Sequence, residues 1–291
     1  MSTYINPYTD FGFKRLFGEE ANKSLLLDFL NELLPISSKI ADLTFKSPEQ
    51  MGDTISNRKA VYDIYCTAAD GTFFIVEMQK AFQEYFKDRT IFYSTFPIRA
   101  QAQKGPWNYK LSMVYCVAVL AFKFNDDSYL DTDEEVFEDP YLHDVQLKDQ
   151  HNRVFYRKLK YLFLEMPRFE KTEEQLQNRF EKWVYFLKHL EDFTQIPAIL
   201  NEPIFIEAFE IAKVANFNQQ QLDAYEESLK DYRDGHNVID SAVNTAVTET
   251  KKEAIIRALI GDKLSIEDIA TYNDVAIELV LQLQQELKKN K

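Results

Sequence analysis

The sequence predicts an α/β fold, a mixed sheet flanked by helices, with a mainly helical C-terminal extension. Three observations lead there. Segments rich in Val, Ile, Tyr, Phe and Thr alternate with helical segments over the first part of the chain, in the order helix, three strands, helix, strand. The strand segments are apolar on both faces, the pattern of strands buried in the middle of a sheet. After Pro203 the chain reads as helix almost to its end, with breaks near Asn216 and Gly235.

Each element has a local reason. Thr9 or Asp10 can cap a short helix over Phe11 to Phe17, and Gly18 can end it. A second helix, about Glu20 to Leu34, carries Leu25, Leu26, Phe29, Leu30, Leu33 and Leu34 as one apolar stripe, and Pro35 stops it. Ile40 to Lys46 is a candidate edge strand. Lys59 to Thr67 and Thr72 to Gln79 are the next two strands, joined through Ala69-Asp70-Gly71. Glu84 to Gln103 reads as a helix, and Leu111 to Phe124 contains the buried run VYCVAVLAF. Asn125 to Asp139 is densely acidic and reads as a solvated linker; the glycine and terminal Glu of a calcium loop are not at the required spacing. Two further strands follow between Tyr141 and Phe169, the second over Leu159 to Met166. Glu173 to Leu190 is an amphipathic helix with Trp183, Phe186 and Leu187.

The expected domain division is a core over residues 1–125, an acidic linker with a strand and helix extension over 126–195, and a helical region over 196–291. Near the end, Lys252 to Ile260, Gly261 and Leu264 to Ala270 resemble a small helix-turn-helix, with Ser265 as the cap of the middle helix. Its exposed positions are acidic (Glu267, Asp268, Asp274, Glu278), so packing or self-association is the expected role, ahead of DNA contact. The C-terminal helices are thus the place where a homo-oligomer would form.

Composition sets the bounds. A chain of 291 residues with 45% hydrophobic and 14% aromatic residues and only 7 Gly buries a sizeable core. No run of 18 or more apolar residues appears, so no membrane span is expected. The start, MSTYINPYTDFGFK, has neither a basic nor an apolar leader segment, and Cys66 and Cys116 each sit inside an apolar run. Buried thiols of a reducing compartment are the expectation, and the cytoplasm the expected location. The net charge of −13 is unevenly spread: residues 1–125 carry 14 Lys and Arg against 13 Asp and Glu, which leaves 20 against 34 for residues 126–291. The acidity lies outside the segment that bears the chemistry, so a polyanionic partner is not excluded.

That chemistry centres on Asp63 and Glu77 in VYDIYCTAADGTFFIVEMQ. A three-residue loop at Ala69-Asp70-Gly71 pairs Ala68 with Thr72 and, counting along the ladder, Asp63 with Glu77. Opposed like charges on one face of a sheet, with Cβ atoms roughly 4.5–5.5 Å apart, are destabilising unless a cation lies between them. A hard ion that takes oxygen ligands, Mg²⁺ or Mn²⁺, suits two carboxylates. A two-residue Asp70-Gly71 turn would instead pair Asp63 with Met78 and send Glu77 to the other face. The apolar pattern leaves both registers open.

Three runs, FGFKRLFGEEANKSLLLDFLNELL, RKAVYDIYCTAADGTFFIVEMQK and YFKDRTIFYSTFPIRAQ, resemble the transposase-like branch of the PD-(D/E)xK nucleases, also described as Rpn-type recombination-promoting nucleases. The resemblance spans about residues 5–125. It implies a restriction-endonuclease-like α-β-β-β-α-β core, Mg²⁺-dependent hydrolysis of DNA phosphodiesters, and an association with recombination or transposition. Asp63 takes the place of the motif aspartate and Glu77 that of the acid in E-x-K. Gln79 stands where the pattern has Lys, and offers neutral hydrogen bonds in place of a cation. This branch commonly carries Gln there.

The resemblance also implies a metal held by Asp63, Glu77 and the Met78 backbone carbonyl, with Gln79 orienting the nucleophile. Arg89 and Tyr93, four apart on one helix face, occupy the place of an accessory polar residue and tyrosine. Their alternative is ordinary packing. Among the acids of the first helices, Asp10 is the candidate that projects toward the metal, with capping as its other reading; Lys14 is a candidate phosphate contact. As substitutes for the missing lysine, Lys80 is expected on the opposite face of the strand. Lys59 shares the face of Asp63 but lies about 13 Å away at roughly 3.3 Å per residue. The four histidines are scattered without zinc spacing, and no phosphate-binding glycine motif occurs. A DNA-binding or assembly protein that has lost turnover, and a defence-type nuclease, are the alternative readings.

Overall fold

The computed structural model describes residues 2–35, 39–50, 60–102, 104–124, 141–261 and 264–289. The Lys59 position and the acidic stretch Asn125 to Asp139 lie outside them. Thr9 caps α1 (Asp10–Phe17), its hydroxyl accepting from the Gly12 N–H, and the helix closes where Gly18 donates to the Lys14 carbonyl. A turn of 3-10 helix then leads into α2 (Lys23–Leu33), which buries its leucine and phenylalanine stripe. Next come the strands β1 (Leu43–Phe45), β2 (Glu49–Gln50), β3 (Ala60–Val61), β4 (Ile64–Ala68) and β5 (Phe73–Gln79). Helix α3 (Phe86–Arg99) precedes β6 (Val114–Leu120), β7 (Leu142–Lys148) and β8 (Val154–Glu165). The remainder is helical: α4 (Arg179–His189), α5 (Pro203–Ala212), α6 (Gln219–Gly261), α7 (Ile266–Tyr272) and α8 (Ile277–Lys289).

Six strands form one mixed sheet in the order β1-β4-β5-β6-β8-β7. The β4–β5 hairpin is antiparallel, β5, β6 and β8 run parallel, and β7 folds back antiparallel on β8. Both faces are covered, which is why the central strands read as unbroken apolar runs; all seven residues of β6 are buried. One face packs Ile64, Cys66, Phe74, Val76, Met78, Val117 and Leu164 against α1, α2, α4 and α5. The other packs Tyr65, Ile75, Cys116, Ala118, Tyr161 and Phe163 under Phe86 and Phe96 of α3. The two cysteines are therefore buried on opposite faces, both free.

The chain divides into two compact units, Met1–Tyr232 and Arg233–Lys291. In the first, the Asn6 N–H donates to the Tyr225 hydroxyl and the Phe11 N–H to Ser228, which ties the N-terminal segment to the start of α6. In the second, Ile255, Ile269, Ala270, Val280 and Leu283 form a small core, and the Ser265 hydroxyl caps α7 by accepting from the Asp268 N–H. The break expected at Gly235 does not occur, because α6 runs through it. A lone interior glycine costs a helix only about 1 kcal/mol, too little to stop one with helical neighbours on both sides. The break near Asn216 does occur, as a 3-10 turn between α5 and α6.

Candidate active site

The hairpin between β4 and β5 decides the site. Ala68 donates its N–H to the Thr72 carbonyl at 2.9 Å, and Gly71 takes φ +82°, so the loop holds three residues. The ladder runs from Thr67 opposite Phe73 to Ile64 opposite Val76. Asp63 lies just before β4, one residue beyond the paired ladder. There β4 bends: Tyr62 donates its N–H to Pro48 and leaves the main sheet with β3, which pairs with β2. The bend opens a gap beside β5. The Met78 N–H, left without a strand partner on that side, donates to Asp63 Oδ2 at 2.7 Å. In a strand the N–H and C=O of one residue point to the same side, so the Met78 carbonyl faces the same gap. Its side chain is buried in the opposite core.

Glu77 is only 7% exposed, lies on the α3 face near Thr90, Tyr93 and Ala118, and its Oε1 is buried with no hydrogen-bond partner among the described residues. Gln79 closes β5 and donates Nε2 to Glu77 Oε2 at 3.4 Å. Burial, then the neighbouring Asp63 carboxylate, push the Glu77 carboxyl up to about 8, with Arg89 pulling the other way. Burial also raises Asp63, opposed by the Met78 N–H; the charge of Asp10 raises it further, and those of Lys14 and Lys80 lower it. A buried carboxylate with an orphaned oxygen beside a second carboxylate is an arrangement that costs free energy as it stands. The donor set fits a hard divalent cation. Two carboxylates and a backbone carbonyl match the small number of protein ligands that Mg²⁺ takes when water and substrate phosphate supply the rest. Among the described residues, no group of three or more His, Cys, Asp or Glu side chains is placed to hold a metal.

The accessory residues take different places. Asp10 is the first residue of α1, one turn from Lys14 and paired with it at 2.8 Å; Thr9, not Asp10, is the cap. Both charges act on Asp63, so α1 contributes to this end of the sheet. Arg89 and Tyr93 share a face of α3, with the guanidinium 5.7 Å from the Tyr93 ring centroid. Arg89 is the positive charge that acts on Glu77; it donates to Gln83 at 2.6 Å, while its Nε is buried without a partner. Lys80, expected on the opposite face of the strand from Gln79, is the third charge that acts on Asp63. It lies just past β5, where strand alternation no longer dictates direction. Its position directly after Gln79 was the only signal. Tyr62, whose hydroxyl donates to the Tyr93 carbonyl at 3.0 Å, also went unnoticed in the sequence, because nothing local announces the bend.

The sequence profile of the PD-(D/E)XK nuclease family transposases matches residues 7–242. The chain belongs to this family. The mixed sheet with helices on both faces accords with the fold of these nucleases. No curated protein and no solved structure matches the chain. Membership points to a nuclease role with DNA as substrate, and nucleases of this kind generally use divalent metals. Among the described residues, no helix is long and apolar enough to cross a membrane.

Proposed function

We propose that this chain is a divalent-metal-dependent DNA endonuclease that hydrolyses phosphodiester bonds during recombination or transposition, with residues 1–125 as its catalytic core. One observation carries the reading: Glu77 is buried with an unpartnered oxygen next to Asp63, on the strand that ends in Gln79. Asp63, Glu77 and the Met78 carbonyl would hold Mg²⁺ or Mn²⁺. When bound, such an ion polarises the phosphoryl oxygen and lowers the pKa of a coordinated water. The protein groups do the rest. Asp63 is fixed by the Met78 N–H, Gln79 orients the water through its amide, and Arg89 supplies positive charge on the α3 side. Lys80 and Lys14 bring cations to the Asp63 side, which offsets the loss of the motif lysine in part. Asp10 and Tyr93 complete the surroundings.

Two further features belong to this reading. The buried free thiols support a reducing, cytoplasmic setting. Val238, Ile239, Val243 and Val247 are exposed along α6, and this apolar face supports self-association through the C-terminal helices. Gln79 favours a second reading, a protein that binds DNA and keeps the fold but turns over slowly, since an amide stabilises less developing negative charge than an ammonium group.

Supercoiled plasmid incubated with purified protein and Mg²⁺ or Mn²⁺ separates the two. Nicking that disappears on chelation, and in Asp63→Ala and Glu77→Ala, is the expected result. Binding with no nicking at any metal concentration would leave only the second reading.

A further inference from the structure

Helix α3 carries large aromatic side chains on a face that the described residues leave open. Tyr85, just before its first turn, is 67% exposed and Phe92 is 45% exposed. With Arg89 and Tyr93 they follow the i, i+4, i+7, i+8 spacing of a single helix face, so Tyr85 and Phe92 stand about 10 Å apart along the axis. An open groove of about 660 Å³ runs past them, with Glu84 and Asp88 also on its wall. Exposed aromatic side chains grouped around a groove mark a binding surface more often than a solvated one. This groove adjoins Glu77, because Tyr93 lines both it and the space above that carboxylate.

The chemistry of the wall narrows the occupant. One arginine faces two acids, so the groove is no track for a phosphate backbone, which calls for an excess of cations. What it offers is π surface. Guanidinium and ring are already stacked there, with Arg89 5.8 Å from the Phe86 centroid and 5.7 Å from that of Tyr93. In a duplex the base faces are covered by their neighbours and only the edges reach a protein, so aromatic faces can engage only bases that are unpaired.

We infer that Tyr85 and Phe92 form a stacking platform for unpaired bases of the strand delivered to Asp63 and Glu77, which makes the substrate single-stranded or locally melted DNA. This rests on DNA being the ligand of the proposed site. The test is fluorescence anisotropy with the full-length chain in metal-free buffer. A labelled single-stranded oligonucleotide is compared with its duplex, for wild type, Tyr85→Leu, Phe92→Leu and the double variant. Leucine keeps apolar bulk and removes the ring, and melting curves confirm that these exposed substitutions keep the fold. Each substitution is expected to weaken single-strand binding about 5- to 150-fold, the range of one lost base stack, and to leave duplex affinity within about twofold. Oligonucleotides carrying 5-iodouracil are expected to photocrosslink to the peptide that contains Tyr85 or Phe92.

Equal losses on both DNA forms, or none on either, overturn the platform. So does a change in oligomeric state by sedimentation with DNA affinity intact, which would make the patch a protein interface. A chain that nicks plasmid in a Glu77-dependent way but binds single strands equally well in all variants loses the platform and keeps the nuclease reading. Ring-dependent binding without nicking does the reverse.

Discussion

Two glutamates lie in the central strands of the sheet, on the same face, and they are treated in opposite ways. Glu165 ends β8 and is fully buried, yet each oxygen is answered: Oε1 by His143 Nε2 at 2.6 Å, and Oε2 by Arg168 Nε at 2.6 Å and the Phe124 N–H at 3.2 Å. Burial alone would raise its pKa, but these bonds and charges outweigh burial, and the carboxyl sits below its ordinary value. Glu77, two strands away, has one long bond to Gln79 and an oxygen with none. Its neighbours are a second carboxylate and an arginine, and its pKa goes up to about 8. A buried acid completed by its own protein is structural. One left incomplete carries an uncompensated desolvation cost, which marks it as a candidate functional group.

The contrast can be broken by mutation, and the largest effect falls on catalysis. Asp63→Ala and Glu77→Ala are expected to lower plasmid cleavage about 100- to 1,000-fold, the loss that follows removal of one preorganised electrostatic group. Glu165→Ala should leave cleavage per folded molecule nearly unchanged. A comparable catalytic loss in Glu165→Ala, with the fold intact by circular dichroism, would erase the distinction.

Stability reverses the order. Removing Glu165 leaves His143 and Arg168 without their partner and should cost roughly 3–5 kcal/mol, seen calorimetrically as a Tm lower by about 6–15 °C. Glu77→Gln should stabilise instead, and only at high pH. The native carboxyl keeps its proton up to about 8, whereas the unfolded chain releases it near the ordinary value of 4.5. Between those values the native state binds more protons, so the contribution of this group is fully present below 4.5 and declines as pH rises to about 8. In metal-free buffer at pH 8 the variant should gain on the order of 2 kcal/mol or more, and at pH 4.5 nothing. Millimolar Mg²⁺ or Mn²⁺ should raise the Tm of wild type at pH 8 and leave that of Glu77→Gln in place. A pH-independent difference between the two proteins would contradict this account.

Smaller effects sharpen the picture. Arg89→Met should cut the cleavage rate about tenfold and shift the lower limb of its pH profile upward, since Arg89 is the cation that lowers Glu77. Asp10→Asn, at an exposed helix start, should change the rate by about threefold at most, read from single-turnover kinetics.

Much of this was legible in the chain. The leucine stripe and caps of the first two helices, the VYCVAVLAF strand and the Ser265 cap follow from local rules that operate within a few residues. So does the composition of β4 and β5. The register of the hairpin was not legible. Phe73 to Gln79 is apolar on both faces, so periodicity could not say which face received Glu77, and only the Ala68–Thr72 bond at the turn chose. The bend at Tyr62 and Asp63 was equally silent, because β3 is drawn off by pairing with β2, a segment removed in sequence, rather than by its immediate neighbours. His143 looked scattered because its partners, Glu165 and Arg168, are brought to it by strand pairing.

The chain by itself determined which acids, amide and aromatics were available, since residue type and short spacing are written in the order of the letters. Tertiary structure alone decided which buried glutamate would be satisfied and which left open. Hydrogen-bond partners and desolvation depend on what packing brings within about 3 Å, and that distance is set by strands and helices far apart in sequence.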